Sequence, residues 1–234
     1  MKQVFKRYEI KYLLDIEKFN LVLQEVKKHL SPDIYGEETI QSLYYDTDSW
    51  LLIRRSIEKP AYKEKLRARS YGLATPDKPV FLELKKKYDN VVYKRRISIL
   101  EKELPTKVNI PLNDDMSQVE KEIAYCSNLY GGVKPKMLLL YDRVVFLGED
   151  GLRITFDKNI RYRTERLSLC SDLNGKQILT NGEVMMEIKT SGAYPDWLIK
   201  LLNGNKIYKT SFSKYGTAYK LEIQKKLTYE KEAV

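Results

Sequence analysis

The stretch KRYEIKY over residues 6–12 sets Arg7, Glu9 and Lys11 at alternate positions, with Tyr8, Ile10 and Tyr12 between them. A strand segregates such a pattern, because successive side chains point to opposite faces; a helix would scatter the charges round its axis. One strand with a charged face is most simply a strand with one wet side. Here the pattern recurs. Lys65, Arg67 and Arg69 alternate with Leu66 and Ala68 in KLRAR, and Glu83, Lys85 and Lys87 alternate with Leu82, Leu84 and Lys86 in FLELKKK. Lys94 and Arg96 share a face with Ser98; Arg153, Thr155 and Asp157 alternate with Ile154 and Phe156; Glu187 and Lys189 alternate with Met186 and Ile188. Short period-2 runs bounded by Gly, Pro, Asn or Asp read as antiparallel strands. Strands of this kind can close into a barrel, which hides their edges.

Helical spacing is confined to a few segments. Residues 15–30 predict a helix that Asp15 caps, with Phe19, Val22, Leu23, Val26 and Leu30 as its apolar stripe and Ser31-Pro32 as its stop. Residues 117–130 predict a second, with a capping box from Ser117 and Glu120 and Gly131 beyond its end. Pro195 to Leu202 predicts a short third, and residues 214–227 a fourth. Segment 101–116, with Pro105 and Pro111, reads as a loop, and residues 39–47 and 136–146 as further strands. No repeat or composition shift marks a boundary. The expectation is one α+β domain over residues 1–234, dominated by antiparallel strands.

Charge narrows the function. The 42 Lys and Arg against 32 Asp and Glu give a net charge of +10, which points to an anionic partner. There is no G-x-x-x-x-G-K-[ST] and no G-x-G-x-x-G, so neither a P-loop nor a dinucleotide site is supported. The lone histidine, His29, falls on the polar side of a helix and reads as a surface residue. That disfavours Ser-His-Asp and Cys-His chemistry and histidine-rich metal centres. Cys126 and Cys170 form no C-x-x-C, which fits a reducing compartment. The N-terminus has no apolar signal region, and the apolar run near MLLLY at 137–141 is too short to span a bilayer, so a cytoplasmic location is expected. What remains is a set of Arg and Lys with a few Glu at strand spacing. Phosphoryl transfer suits such a set, since it needs charge and positioning more than covalent work from the protein.

The strings RYEIKY at 7–12, SLYYDT at 42–47, KLRAR at 65–69, ELK at 83–85, YDR at 141–143, EIK at 187–189 and SFSKY at 211–215 occur in that order. The set resembles the catalytic domain of the vacuolar transporter chaperone (VTC) polyphosphate polymerases, within the triphosphate tunnel metalloenzyme superfamily. The resemblance covers nearly the whole chain. It implies an antiparallel β-barrel of roughly eight strands with flanking helices, whose charged faces point into a basic tunnel.

The resemblance also implies roles. Lys11 is the phosphate-binding lysine of the first strand, Arg67 and Arg69 an arginine pair suited to bidentate phosphate contact, and Lys85 a further tunnel lysine. Tyr141 and Arg143 match a tyrosine–arginine pair, Arg153 another tunnel arginine, and Ser213 and Lys214 a serine–lysine near the mouth. Glu187 matches the carboxylate for a divalent metal, commonly Mn2+, with Mg2+ suiting the same oxygen ligation. Arg7, Glu9, Glu83 and Lys189 share these faces, either as part of the site or as inter-strand ion pairs. Ser211 stands where the eukaryotic polymerases usually carry lysine, and nearby Lys209 is the candidate substitute.

Three functions are expected in order. The first is polymerisation: the terminal phosphate of a growing polyphosphate chain attacks the γ-phosphorus of ATP, and ADP leaves. The second is a tunnel hydrolase, such as an inorganic triphosphatase, or a cyclase of the same superfamily. Those enzymes open with E-x-E-x-K, whereas Arg7, Glu9 and Lys11 give R-x-E-x-K, and the positive charge suits holding product. The third is a non-catalytic anion-binding or nucleic-acid-binding module, of which a tunnel that binds polyphosphate without making it is the harder rival. The expected partners are ATP and polyphosphate, with no nucleic acid and no membrane span; docking to a membrane protein is left open.

Overall fold

The computed structural model describes residues 8–232 except 90, 180 and 181. In chain order the elements are β1 (Tyr8–Leu14), α1 (Ile16–His29), β2 (Ser31–Pro32), β3 (Glu38–Asp46), α2 (Leu51–Glu58), β4 (Tyr62–Tyr71) and β5 (Pro79–Tyr88). There follow β6 (Val91–Leu100), α3 (Leu104–Val108), α4 (Gln118–Leu129), β7 (Lys134–Leu147), β8 (Arg153–Arg163) and β9 (Lys176–Gln177). The chain ends with β10 (Val184–Thr190), α5 (Asp196–Gly204), β11 (Lys209–Thr210) and α6 (Lys214–Glu232). The fold is α+β, built on a large antiparallel sheet, and the chain divides into two compact units.

The first unit takes in Met1–Thr39, Tyr141–Ile160 and Leu179–Phe212. Its strands run in the order β11-β1-β10-β8-β7, with β2 added to β7. The period-2 pattern sorts the faces as the sequence predicts. Tyr12, Leu14, Ile154, Phe156, Met186 and Ile188 enter one buried cluster with Phe19, Val22 and Val26 of α1 and Leu198 and Leu201 of α5. Burying each of the larger apolar side chains is worth about 1.5–3 kcal/mol. Asp15 starts α1 by accepting from the Lys18 amide at 2.8 Å, and the backbone turns extended at Leu30. His29 does more than meet solvent: it pairs with Glu25 at 3.1 Å and stacks on Trp197 with ring centroids 4.3 Å apart.

The second unit takes in Ile40–Leu140, Arg161–Ile178 and Ser213–Val234. Its strands run β7-β3-β4-β5-β6. Leu43, Tyr45, Leu66, Ala68, Leu82, Leu84, Leu138 and Leu140 pack with Ile123 and Cys126 of α4 and Leu104 and Val108 of α3. The predicted capping box is present at α4, where Ser117 and Glu120 satisfy each other's amides.

Two helices depart from the sequence expectation. Residues 101–116 hold α3, because Leu104 and Val108 are buried and Pro105 falls in the first turn, where its missing N–H costs nothing. The second is α2. Its leading amides at Leu52 and Ile53 donate to the Asp46 carboxylate at 2.9 and 3.0 Å, so the side chain that organises its start sits several residues upstream.

Barrel closure is not among the described pairings. β11 pairs only with β1, and β6 only with β5, among the described residues. No described helix is long and apolar enough to cross a membrane.

Candidate functional site

In the second unit the residues alternating with the buried leucines make one cationic face. Register places Arg67 opposite both Tyr44 and Glu83, Arg69 opposite Ser42, Lys65 opposite Lys85, Lys85 opposite Lys94, and Glu83 opposite Arg96. Glu83, only 1% exposed, is the hub. Its Oε2 lies 2.8 Å from Arg67 Nε and 2.7 Å from Arg67 Nη2, and 4.0 Å from Arg69 Nε. Its Oε1 lies 2.7 Å from Lys94 Nζ. Burial opposes its charge, but Arg67, Arg69 and Lys94 prevail and pull the carboxyl down to about 2. The converse holds at Lys94, where burial outweighs Glu83 and lowers the ammonium's pKa. One carboxylate therefore holds three cations in place and leaves the cluster with excess positive charge.

Tyr44 completes this face. Its neighbours Leu43 and Tyr45 point to the core, so Tyr44 points the other way. Its Oη accepts from Arg67 Nη1 at 2.9 Å, and its ring stacks on Tyr215 at 4.1 Å between centroids. Tyr215 in turn donates to Asp46 at 2.9 Å, and Lys65 Nζ lies 6.0 Å from the centre of its ring. These contacts set the start of α6, with Lys214, beside the cationic strands. Ser213 Oγ accepts from the Gly216 amide at 3.2 Å, so this serine also caps α6.

In the first unit, Lys11 lies opposite Glu187, Glu9 opposite Lys189, and Arg153 opposite Lys189. Glu187 sits 2.9 Å from Lys189 and 3.9 Å from Lys11, while Glu9 sits 3.5 and 3.7 Å from the same two lysines. Lys11 also donates to the Phe212 carbonyl at 3.1 Å. Arg153 Nε is buried with no hydrogen-bond partner among the described residues. Arg143 lies over the Tyr141 ring at 5.1 Å and pairs with Asp157. Burial works against its charge, but Tyr141, Asp157 and Glu187 raise its pKa further. The structure therefore groups Lys11, Tyr141, Arg143, Arg153, Glu187 and Lys189 in one unit, and Arg67, Arg69, Lys85, Ser213 and Lys214 in the other. Arg7 lies outside the described residues. Glu9, Glu83 and Lys189 make inter-strand ion pairs on the faces that also carry the candidate site cations.

No group of three or more His, Cys, Asp or Glu suited to a metal occurs among the described residues. A magnesium- or manganese-type ion takes one or two carboxylates and completes its shell with water and substrate phosphate oxygens; Glu187, the carboxylate expected from the sequence, is paired with Lys189 and Lys11. Its side chain is 10% exposed and shares its face with Glu9.

Sequence alone assigns no role to Lys94 or Tyr44. Lys94 was visible as a strand-face residue. Tyr44 was detectable only by parity, since an aromatic in YY reads as core until the strand's register is known.

A model of the VTC domain matches residues 6–223. No curated protein matches the chain in sequence. Among solved structures, an adenylyl cyclase candidate from Hippeastrum, described as having a dominant triphosphatase activity, is similar with a TM-score of 0.53 and 17% identity, over 90% of this chain and 93% of that one. An adenylate cyclase candidate from Vibrio parahaemolyticus aligns with a TM-score of 0.49 and 13% identity, over 93% of this chain and 99% of that one. The family match over residues 6–223, most of the chain, places this protein in the VTC domain family.

Proposed function

We propose that this protein is an ATP-dependent polyphosphate polymerase that moves the ATP γ-phosphate onto a growing chain inside a basic tunnel. The observation carrying this reading is the Glu83 cluster, in which a buried carboxylate fixes Arg67, Arg69 and Lys94 as a rigid donor set. Preorganised cations suit phosphoryl transfer because the charge they stabilise spreads over phosphate oxygens in the transition state. Arg67 and Arg69 grip phosphate oxygens, with Lys85 and Lys214 adding charge. Lys11, Arg143 and Arg153 contact phosphates, with Tyr141, Ser213, Lys189 and Arg7 orienting them. Glu187 is the residue that would hold Mn2+ or Mg2+, which supplies charge neutralisation on phosphate oxygens when bound. The closed barrel, the tunnel and a cytoplasmic location belong to this same reading.

Hydrolysis of inorganic triphosphate is the second reading, favoured by the triphosphatase activity described for the Hippeastrum protein of similar fold. Incubation with ATP and Mn2+, resolved on a gel for long phosphate chains, separates the two. Chain growth supports the polymerase. Phosphate release from tripolyphosphate without chain growth supports the hydrolase. Binding of polyphosphate with neither product leaves a binding module.

A further inference from the structure

Tyr44 presents a donor without an acceptor. The residue is 7% exposed, and its oxygen already accepts from Arg67 Nη1 at 2.9 Å. The groups around it are Arg67 and Arg69 on β4, Lys85 on β5, and the stacked Tyr215 on α6, whose own hydroxyl hydrogen goes to Asp46. Among the described residues none accepts the Tyr44 hydrogen. A buried hydroxyl hydrogen is normally paired, and one ringed by cations lacks an anion in particular.

We propose that Tyr44 is a direct phosphate ligand, donating its phenolic hydrogen to an oxygen of the bound phosphate chain while Arg67 donates to its own oxygen. The inference rests on the phosphate-binding reading above and adds a ligand to it. The arrangement makes a relay: Glu83 fixes Arg67, Arg67 fixes the phenol oxygen, and the Tyr215 ring fixes the plane of Tyr44. The hydrogen then has one useful direction, toward the anion. Burial raises the phenol's pKa, but Arg67, Arg69 and Lys85 overcome it and lower the value, which makes the phenol a stronger donor.

Tyr44→Phe keeps the stacked ring and removes only the hydroxyl. Calorimetric titration with tripolyphosphate is expected to show affinity weakened roughly tenfold to a hundredfold, the size of a hydrogen bond to a charged group. Tyr35→Phe, at a residue 76% exposed, serves as the control and should bind as the parent does. Ultraviolet difference titration gives an independent readout. One phenol should ionise below the ordinary range, vanish in Tyr44→Phe, and shift upward when tripolyphosphate is added to the parent. A merely structural tyrosine would not respond to the ligand. If Tyr44→Phe fails to fold, the parent's titration with and without tripolyphosphate decides. Equal affinity in parent and variant, or a titration indifferent to tripolyphosphate, overturns the assignment. A parent that binds no tripolyphosphate overturns the phosphate reading along with it.

Discussion

Arg143 grips Asp157 through two parallel hydrogen bonds, Nε to Oδ1 at 2.6 Å and Nη2 to Oδ2 at 2.9 Å, and Asp157 is fully buried. The arginine expected at the phosphate is thus also the neutralising partner of a carboxylate on the neighbouring strand. Its removal carries a structural cost as well as a functional one.

Arg143→Ala is expected to lower the unfolding free energy by a few kcal/mol, up to about 3–5, because it removes the guanidinium that neutralises the buried Asp157. Urea denaturation measures this. Adding Asp157→Leu to Arg143→Met should recover most of the loss, since an apolar pair can replace a buried ion pair, while phosphate binding stays weak. An Arg143→Ala variant as stable as the parent contradicts the pairing.

Glu83 predicts an acid-sensitive fold. Its folded pKa, about 2, lies below the ordinary 4.5, so the unfolded chain binds the proton more readily. The stability it contributes is complete above about 4.5 and is lost as pH falls toward 2. The full contribution is roughly 3 kcal/mol. Melting temperatures from pH 6 down to roughly pH 3 should fall for the parent, and Glu83→Gln should flatten that slope. Identical slopes would show that Glu83 is not the titrating group.

Asp46 accepts from the amides of Thr47, Leu52 and Ile53 and from the Tyr215 hydroxyl, all within 3.0 Å. Asp46→Ala orphans several buried donors at once and should destabilise by about 3 kcal/mol or more. Tyr215→Phe removes one contact and should cost about 1 kcal/mol. Chemical denaturation of both variants tests the order; a larger loss in Tyr215→Phe would mean that the carboxylate is not the anchor of α2.

Glu187→Gln separates metal binding from ion pairing. On the proposed reading, Mn2+-dependent turnover falls by roughly a hundredfold or more, as when a charge-stabilising group is removed. Polyphosphate affinity should persist or tighten, because Lys11 and Lys189 lose a competing anion. Turnover, affinity and melting temperature are measured on the same preparation. Unchanged synthesis rules out the metal role, and joint loss of affinity and melting temperature assigns Glu187 to the lysine pairs instead.

Period-2 alternation by itself determined which side of each strand is charged: Leu66 and Ala68 had to face away from Arg67 and Arg69, and Leu82 and Leu84 away from Glu83 and Lys85, because side chains alternate along a strand regardless of context. The caps at Asp15 and Ser117 were equally legible, since each bonds within its own first turn. Register was not legible. Whether Glu83 meets Arg67 or Arg69, whether Lys94 joins them, and whether Tyr44 faces cations or core all depend on how separate strands slide past one another. The pairing of Asp46 with Tyr215 spans most of the chain, and no local spacing encodes it. Local periodicity fixes faces because it is a property of one strand; tertiary structure alone fixes partners, because a hydrogen bond between distant segments is decided by the packing that brings them within 3 Å.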